Sequence, residues 1–163
     1  PVAIDCYAIT SVLGGLNPAG WESLDSQNVS DWRESPQNGS PTAIAELKPS
    51  GSTSVTTGAP LNLGSAFRLP TASYIGQDLE DIQFQYYMPD GTIVDALVVY
   101  EGTKRHNDIV LVVDPVDGSA YIQHQSSISV AIDGYNIHSE SGSLLTGNAN
   151  WSSLDDQGIG TWT

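Results

Sequence analysis

IQFQYYMPDGTIVDALVVY, residues 82–100, reads as a strand, a turn and a second strand. Within Ile82–Tyr86, apolar and aromatic residues alternate with glutamine, which is the period of a half-buried strand. In the turn at Met88–Gly91, proline presets one backbone angle, aspartate caps the turn and glycine accepts a positive φ. The β-branched run Thr92–Tyr100 then returns along the first strand. We therefore predict an antiparallel β-hairpin.

Further strands are predicted on both sides of this hairpin. Ile109–Val113 is a continuous apolar run, and a turn at Asp114–Gly118 leads from it to a strand at Ala120–Gln123. The other predicted strands are Val2–Ile9, Ser54–Thr56, Leu61–Leu63 and Ser129–Ile137. One helix is expected at Ser40–Leu47, because serine caps a helix and proline suits its first turn. Short strands separated by turns are typical of a β-sandwich, so we predict an all-β fold with very little helix.

An internal repeat is the strongest signal in the chain. Residues 2–16, VAIDCYAITSVLGGL, and residues 130–144, VAIDGYNIHSESGSL, are identical at nine of fifteen positions. After a two-residue insertion, WESLDSQ at 21–27 matches WSSLDDQ at 151–157. The chain therefore holds one whole period and the beginning of a second copy. We expect a segment of a longer tandem array, or a chain whose ends are completed by neighbours.

The repeat predicts three segments. Residues 1–70 form a β-sandwich module that lacks its first strand, and residues 71–117 form an additional β-hairpin region. Residues 118–163 form the N-terminal part of a second copy of the module.

Aromatic residues occupy matching positions in the two copies. Because tryptophan and tyrosine bury large areas, we predict that these positions form the core of each copy. The predicted repeat core is Tyr7, Trp21, Trp32, Tyr135, Trp151 and Trp162. The alternative is a platform on which carbohydrate rings stack, since tryptophan and tyrosine among exposed Asp and Asn suit that function.

Net charge excludes one large class of partner. The 163 residues include 19 acidic and 5 basic side chains, which gives a formal charge of −14. Five basic side chains are too few to neutralise the phosphates of a nucleic-acid backbone. No nucleic acid is therefore expected as a partner. No apolar run approaches the roughly 20 residues of a spanning helix, so no membrane insertion is predicted. The lone Cys6 allows no disulfide within the chain.

Two stretches resemble known domains. QSSISVAIDGYNI at 125–137 resembles the opening of a lamin-tail-like domain, which is an immunoglobulin-like sandwich. PSGSTSVTTGAPLNL at 49–63 resembles a later strand, glycine turn and closing strand of that family. The combined pattern, including SGSL at 141–144 and TGAPLNLG at 57–64, is similar to uncharacterised repeats of large secreted bacterial surface proteins. The resemblance implies an immunoglobulin-like β-sandwich and an extracellular or cell-surface location.

Three acidic residues in one loop form the candidate metal site. Asp78, Glu80 and Asp81 could bind calcium, because a hard cation takes six to eight oxygen ligands. A solvated acidic loop is the alternative. No cofactor other than calcium is expected. The sequons at Asn28, Asn38 and Asn150 are candidate glycosylation sites.

No catalytic constellation is present, so we predict that the protein is not an enzyme. The three histidines lie apart in the sequence, and no serine lies in a nucleophile motif.

An incomplete copy at each end predicts self-association. An unpaired strand edge exposes backbone donors and acceptors that another chain can bind. The expected assembly edge comprises Val2, Ile4, Tyr121, Ile122, Val130 and Ile132. We expect a non-catalytic extracellular structural module that joins copies of itself head to tail into a filament or layer. The alternative function is a carbohydrate-binding or adhesion module, with a polysaccharide as partner.

Overall fold

The computed structural model describes residues 1–36, 39–102, 104, 106–147 and 151–160. These residues form nine strands and no helix, which confirms the predicted all-β class. The strands are β1 Val2–Ile4, β2 Cys6–Ser11, β3 Arg33–Glu34, β4 Ala43–Leu47, β5 Thr53–Val55, β6 Ile82–Tyr87, β7 Ile93–Ala96, β8 Ile109–Val113 and β9 Ala120–His124. The described residues therefore contain no helix that could cross a bilayer. Their arrangement as an immunoglobulin-like sandwich stays a prediction.

The chain forms two compact units, Pro1–Ser129 and Val130–Thr163. The second unit begins at the residue where the second copy of the repeat begins. One period of the sequence thus corresponds to one folded unit, which we call the first unit. All nine strands lie in it.

A five-stranded antiparallel sheet organises the first unit, in the order β3-β4-β2-β6-β7. Its central strand, β2, places Tyr7 opposite both Glu46 and Tyr86. The hairpin β6–β7, within the predicted segment 71–117, therefore extends the sheet formed by the N-terminal strands. Two smaller antiparallel pairs, β1–β5 and β8–β9, complete the strand pairing.

Both predicted hairpins are confirmed. In the first turn, the Met88 amide donates to Thr92 O at 2.9 Å, and Gly91 has a φ of +84°. The strand after this turn ends at Ala96, although the sequence predicted it to continue to residue 100. The Tyr100 hydroxyl replaces the missing backbone partner by accepting the amide of Ile82 at 2.9 Å.

The predicted helix at Ser40–Leu47 is wrong, because these residues contain strand β4. The serine and proline do form a turn, in which the Thr42 amide donates to Ser40 Oγ at 3.1 Å. From Ala43 onward the chain pairs with β2 on one side and β3 on the other. Pairing at both edges stabilises the strand more than local capping stabilises a short helix.

Two other predicted strands are absent from the described residues. Leu61–Leu63 is outside any strand, although the Leu63 carbonyl accepts the amide of Glu22 at 3.0 Å. Ser129–Ile137 also forms no strand. Its counterpart in the first copy supplies β1 and β2, which pair with β5, β4 and β6.

The core of the first unit lies where one face of the sheet meets the segments at 21–32 and 53–63. Its buried members are Ile4, Tyr7, Leu24 and Trp32. Partly buried residues packed against them are Ile9, Trp21, Val29, Val55, Leu63, Phe84 and Tyr86. This core therefore joins β1 and β2 to the turn that follows them in the repeat.

Candidate functional site: the Glu46 contact and its counterpart

A buried glutamate joins strand β4 to the first copy of the repeat. Glu46 is 1 % exposed and lies on the same face of β4 as Ile44. Its Oε2 accepts the Leu24 amide at 2.9 Å and its Oε1 accepts the Asp25 amide at 2.8 Å. The Tyr7 hydroxyl also donates to Oε2. We call this arrangement the Glu46 contact, and it satisfies a buried carboxylate with three donors.

The turn at 22–29 presents these two amides because its internal hydrogen bonds leave them unused. The amides of Gln27, Asn28 and Val29 donate back to Ser23, Asp25 and Leu24, at 3.0, 3.0 and 2.8 Å. The first amides of such a turn have no partner within it, as at the start of a helix. They bind a carboxylate well, because both N–H groups point towards it.

The Tyr7 side chain links the contact to the aromatic core. Its ring centroid lies 5.8 Å from that of Trp32, whose Nε1 donates to Thr53 Oγ1 at 2.8 Å. Burial raises the pKa of Tyr7 well above its ordinary value, and its hydrogen bond to Glu46 raises the pKa further. The neutral phenol is therefore the form that the fold stabilises.

Alkaline pH should destabilise the first unit through Tyr7. Above the ordinary tyrosine pKa of about 10 the unfolded chain loses this proton first, so stability falls as pH rises. Below that pH the contribution is complete. In urea titrations between about pH 9.5 and 11.5, the unfolding midpoint of wild type should fall as pH rises. The midpoint of Tyr7→Phe should fall less steeply with pH. Tyr121→Phe, at a 57 % exposed site, should keep the wild-type slope; equal slopes for all three proteins would contradict this role.

The turn of the Glu46 contact recurs in the second copy, at 152–159. Four hydrogen bonds join the same positions there, at 3.1, 2.8, 3.0 and 2.9 Å. They run from Gln157 N to Ser153 O, Gly158 N to Asp155 O, Ile159 N to Leu154 O and Gln157 Nε2 to Ser152 O. The backbone also has the same left-handed residue, with φ of +58° at Asn28 and +65° at Gly158. The local geometry of the turn is thus preserved.

An earlier turn of the repeat is preserved as well. Gly14 and Gly142 both have a positive φ, of +76° and +69°. The hydroxyls of Ser11 and Ser139 each accept the amide four residues later, at 2.6 and 3.0 Å. Both turns of the second copy therefore have the backbone conformation of the first.

The two copies differ in what covers their apolar side chains. Ile4, Tyr7 and Leu16 are 7 %, 3 % and 1 % exposed, whereas their counterparts in the second copy are 42 %, 37 % and 42 % exposed. These counterparts are Ile132, Tyr135 and Leu144. Together with Trp151 and Leu154 they form what we call the second-copy surface. Among the described residues of the second unit, no strand equivalent to β4 lies on it.

The aromatic positions of the predicted repeat core lie as follows. Trp32 is fully buried and Trp21 packs against the core. In the second unit, the ring centroids of Tyr135 and Trp151 lie 6.5 Å apart, and Trp151 is 40 % exposed. Trp162 lies outside the described residues.

The six residues of the expected assembly edge have different surroundings. Ile4 is buried in the core, so its side chain is not available at an exposed edge. The other five are exposed: Val2, Tyr121, Ile122, Val130 and Ile132. In the described part of the chain, β1 pairs with β5 alone.

The acidic loop has a separate structural role. The Asp81 carboxylate accepts the Ser11 hydroxyl and the Leu13 amide, both at 2.7 Å. Lys104 Nζ lies 3.8 Å from Asp78 Oδ1 and 3.2 Å from Glu80 Oε2, so it forms ion pairs with both carboxylates. Nowhere in the described ranges do three metal-ligating residues come together. Of the three sequons, Asn28 is exposed, and those at 38 and 150 lie outside the described residues.

Glu46 is not among the residues that the sequence patterns predict as functional. The signal was available in residues 43–47, AIAEL, since Ile44 and Glu46 lie on one face of an extended strand. A glutamate on the apolar face predicts a buried partner. Comparisons of the chain with protein-family models, with curated proteins and with solved structures found no match.

Proposed function

We propose that this chain is a non-catalytic extracellular structural module, whose repeats join head to tail into a surface filament or layer. One observation carries the proposal. The second copy keeps both turns of the first, yet its apolar side chains stay exposed where those of the first copy are buried. Exposed apolar residues beside a preformed backbone are typical of a surface that further protein covers.

The extracellular location is supported by composition and by resemblance. The chain has a net charge of −14 and few lysines, and its repeat is similar to those of secreted bacterial surface proteins. The carbohydrate-binding alternative has less support, because Trp32 is fully buried and Trp21 packs against the core. Neither ring is presented as a flat exposed platform.

A head-to-tail contact requires the second-copy surface. In sedimentation experiments over a wide range of concentration, we expect the average mass of the full chain to rise with concentration. Replacing Ile132 and Leu144 by aspartate should keep the chain monomeric, since it places charge on the apolar surface. Electron micrographs of the wild-type chain should contain filaments or sheets.

The matched control carries the same two charges elsewhere. Leu97 and Val116 are 86 % and 93 % exposed, so their replacement by aspartate should leave association unchanged. A wild-type chain that stays monomeric at every concentration contradicts the proposal. Equal association of the Ile132/Leu144 variant would contradict it too.

A further inference from the structure

We propose that a cleft beside Phe67 and Tyr100 binds a small organic ammonium ion that carries an apolar group. The cleft has a volume of about 400 Å³, and every residue that lines it belongs to the first unit. A volume of this size suits one small ligand. Because the ligand is not another copy of the chain, the inference goes beyond the proposed function and does not depend on assembly.

Two aromatic rings form the apolar end of the cleft. The ring centroids of Phe67 and Tyr100 lie 5.9 Å apart at an interplanar angle of 72°, so the two rings form a corner. Phe67 is 43 % exposed and Leu69 is 49 % exposed, whereas Leu79 is buried. An apolar group that enters this corner removes the exposed parts of these side chains from water, which favours binding.

The fold itself holds both rings in place. Phe67 forms an isolated antiparallel bridge with Leu16, which is 1 % exposed. The Tyr100 hydroxyl accepts the amide of Ile82, in β6, at 2.9 Å. Each ring is thus fixed to a packed element of the first unit, and a site that is already ordered loses less conformational entropy when it binds.

The charges around this corner are mainly negative. Residues 78–81 and 100–104 supply four carboxylates and one ammonium group, at Asp78, Glu80, Asp81, Glu101 and Lys104. Burial raises the pKa of the Tyr100 phenol, and the neighbouring carboxylates of residues 78, 80 and 81 raise it further. Negative charge beside an aromatic ring attracts an organic cation, and the face of the ring adds a cation–π attraction.

Lys104 demonstrates which chemistry these carboxylates accept. Its Nζ lies 3.2 Å from Glu80 Oε2, and its side chain is 47 % exposed. A surface ion pair of this kind contributes little to stability, so the ammonium group of a ligand can replace it. Glu101 is exposed, and no group of the described residues forms a hydrogen bond or an ion pair with its carboxylate. The cleft therefore has one negative charge that is available to a ligand.

Three probes that share a phenylethyl group and differ in charge test the ligand class on the full chain: phenethylammonium, phenethyl alcohol and phenylpropionate. We expect the ammonium ion to shift the amide NMR signals of Glu80 and Gly102 in a saturable way, since both residues line the cleft. The neutral alcohol should bind about three- to fivefold more weakly, because it forms no ion pair and no cation–π contact. Phenylpropionate should bind more weakly still, since the carboxylates repel it.

Two substitutions should change the affinity for phenethylammonium in opposite directions. Glu101→Gln should weaken binding about two- to fivefold, because it removes the unpaired charge. Lys104→Gln should strengthen binding about two- to fivefold, because it removes the competing ammonium group. Asp31→Asn removes an exposed charge outside the lining of the cleft, so it should leave the affinity unchanged. All three positions are exposed, so each variant should keep the wild-type unfolding midpoint in urea.

The outcomes distinguish an ammonium site from an apolar pocket. Tighter binding of the ammonium probe, together with opposite effects of Glu101→Gln and Lys104→Gln, supports the inference. Equal binding of the alcohol and the ammonium ion would overturn it, because charge would then play no part. Weaker binding to Lys104→Gln, equal effects of Asp31→Asn and Glu101→Gln, or no saturable shift with phenethylammonium would overturn it as well.

Discussion

Glu46→Ala is expected to lower the free energy of unfolding of the first unit by about 3–5 kcal/mol. The substitution leaves three buried donors without an acceptor: the Tyr7 hydroxyl and the amides of Leu24 and Asp25. It also removes the two hydrogen bonds by which Glu46 joins β4 to the turn at 22–29. Urea unfolding followed by tryptophan fluorescence measures the loss, because Trp32 lies in the same core.

Two further variants test the assignment of this effect to hydrogen bonding. Glu46→Gln keeps the shape of the side chain and one acceptor oxygen, so its loss should be smaller than that of the alanine variant. Glu101→Ala, at an exposed position, should leave the midpoint unchanged. A loss below about 1 kcal/mol for Glu46→Ala would mean that the three donors find other partners.

Leu16→Ala is expected to lower the free energy of unfolding by about 2–5 kcal/mol, whereas Leu144→Ala is expected to change it little. The two leucines occupy the same repeat position and are 1 % and 42 % exposed. Removing a buried side chain loses its transfer energy and leaves a cavity, but removing an exposed one does neither. Urea titrations of both variants make the comparison. Equal losses would mean that the second copy is covered in solution as fully as the first.

Sequence patterns predicted the elements whose partners are close along the chain. The hairpin β6–β7 was predicted because its turn and both of its strands lie within residues 82–100. The serine and proline at 40–41 predict a helix because they are local signals, whereas the strand partners of residues 43–47 are distant in sequence. Ser129–Ile137 has strand-like residues but forms no strand, because a strand needs a neighbour to satisfy its backbone. The turns of the same copy form, since their bonds are internal.

The candidate site could be predicted only in part. Tyr7 and Trp32 were identified because the repeat conserves their positions and large aromatic residues fill cores. Glu46 was not identified, because its three donors lie 21, 22 and 39 residues away in sequence. Only the three-dimensional pairing of β2 with β4 brings these groups together.

The central place of β2 has a consequence for how the chain folds correctly. The segments at 2–16 and 130–144 are identical at nine of fifteen positions, so we expect both to be able to pair with β4 during folding. Cys6 pairs with Leu47 and Tyr87. The matching position in the second copy is Gly134. Glycine in a strand costs about 0.5–1 kcal/mol more than alanine, and the longer loop adds a further entropic cost. The glycine and the longer loop both favour pairing of β4 with the segment at 2–16 over its mispairing with the segment at 130–144.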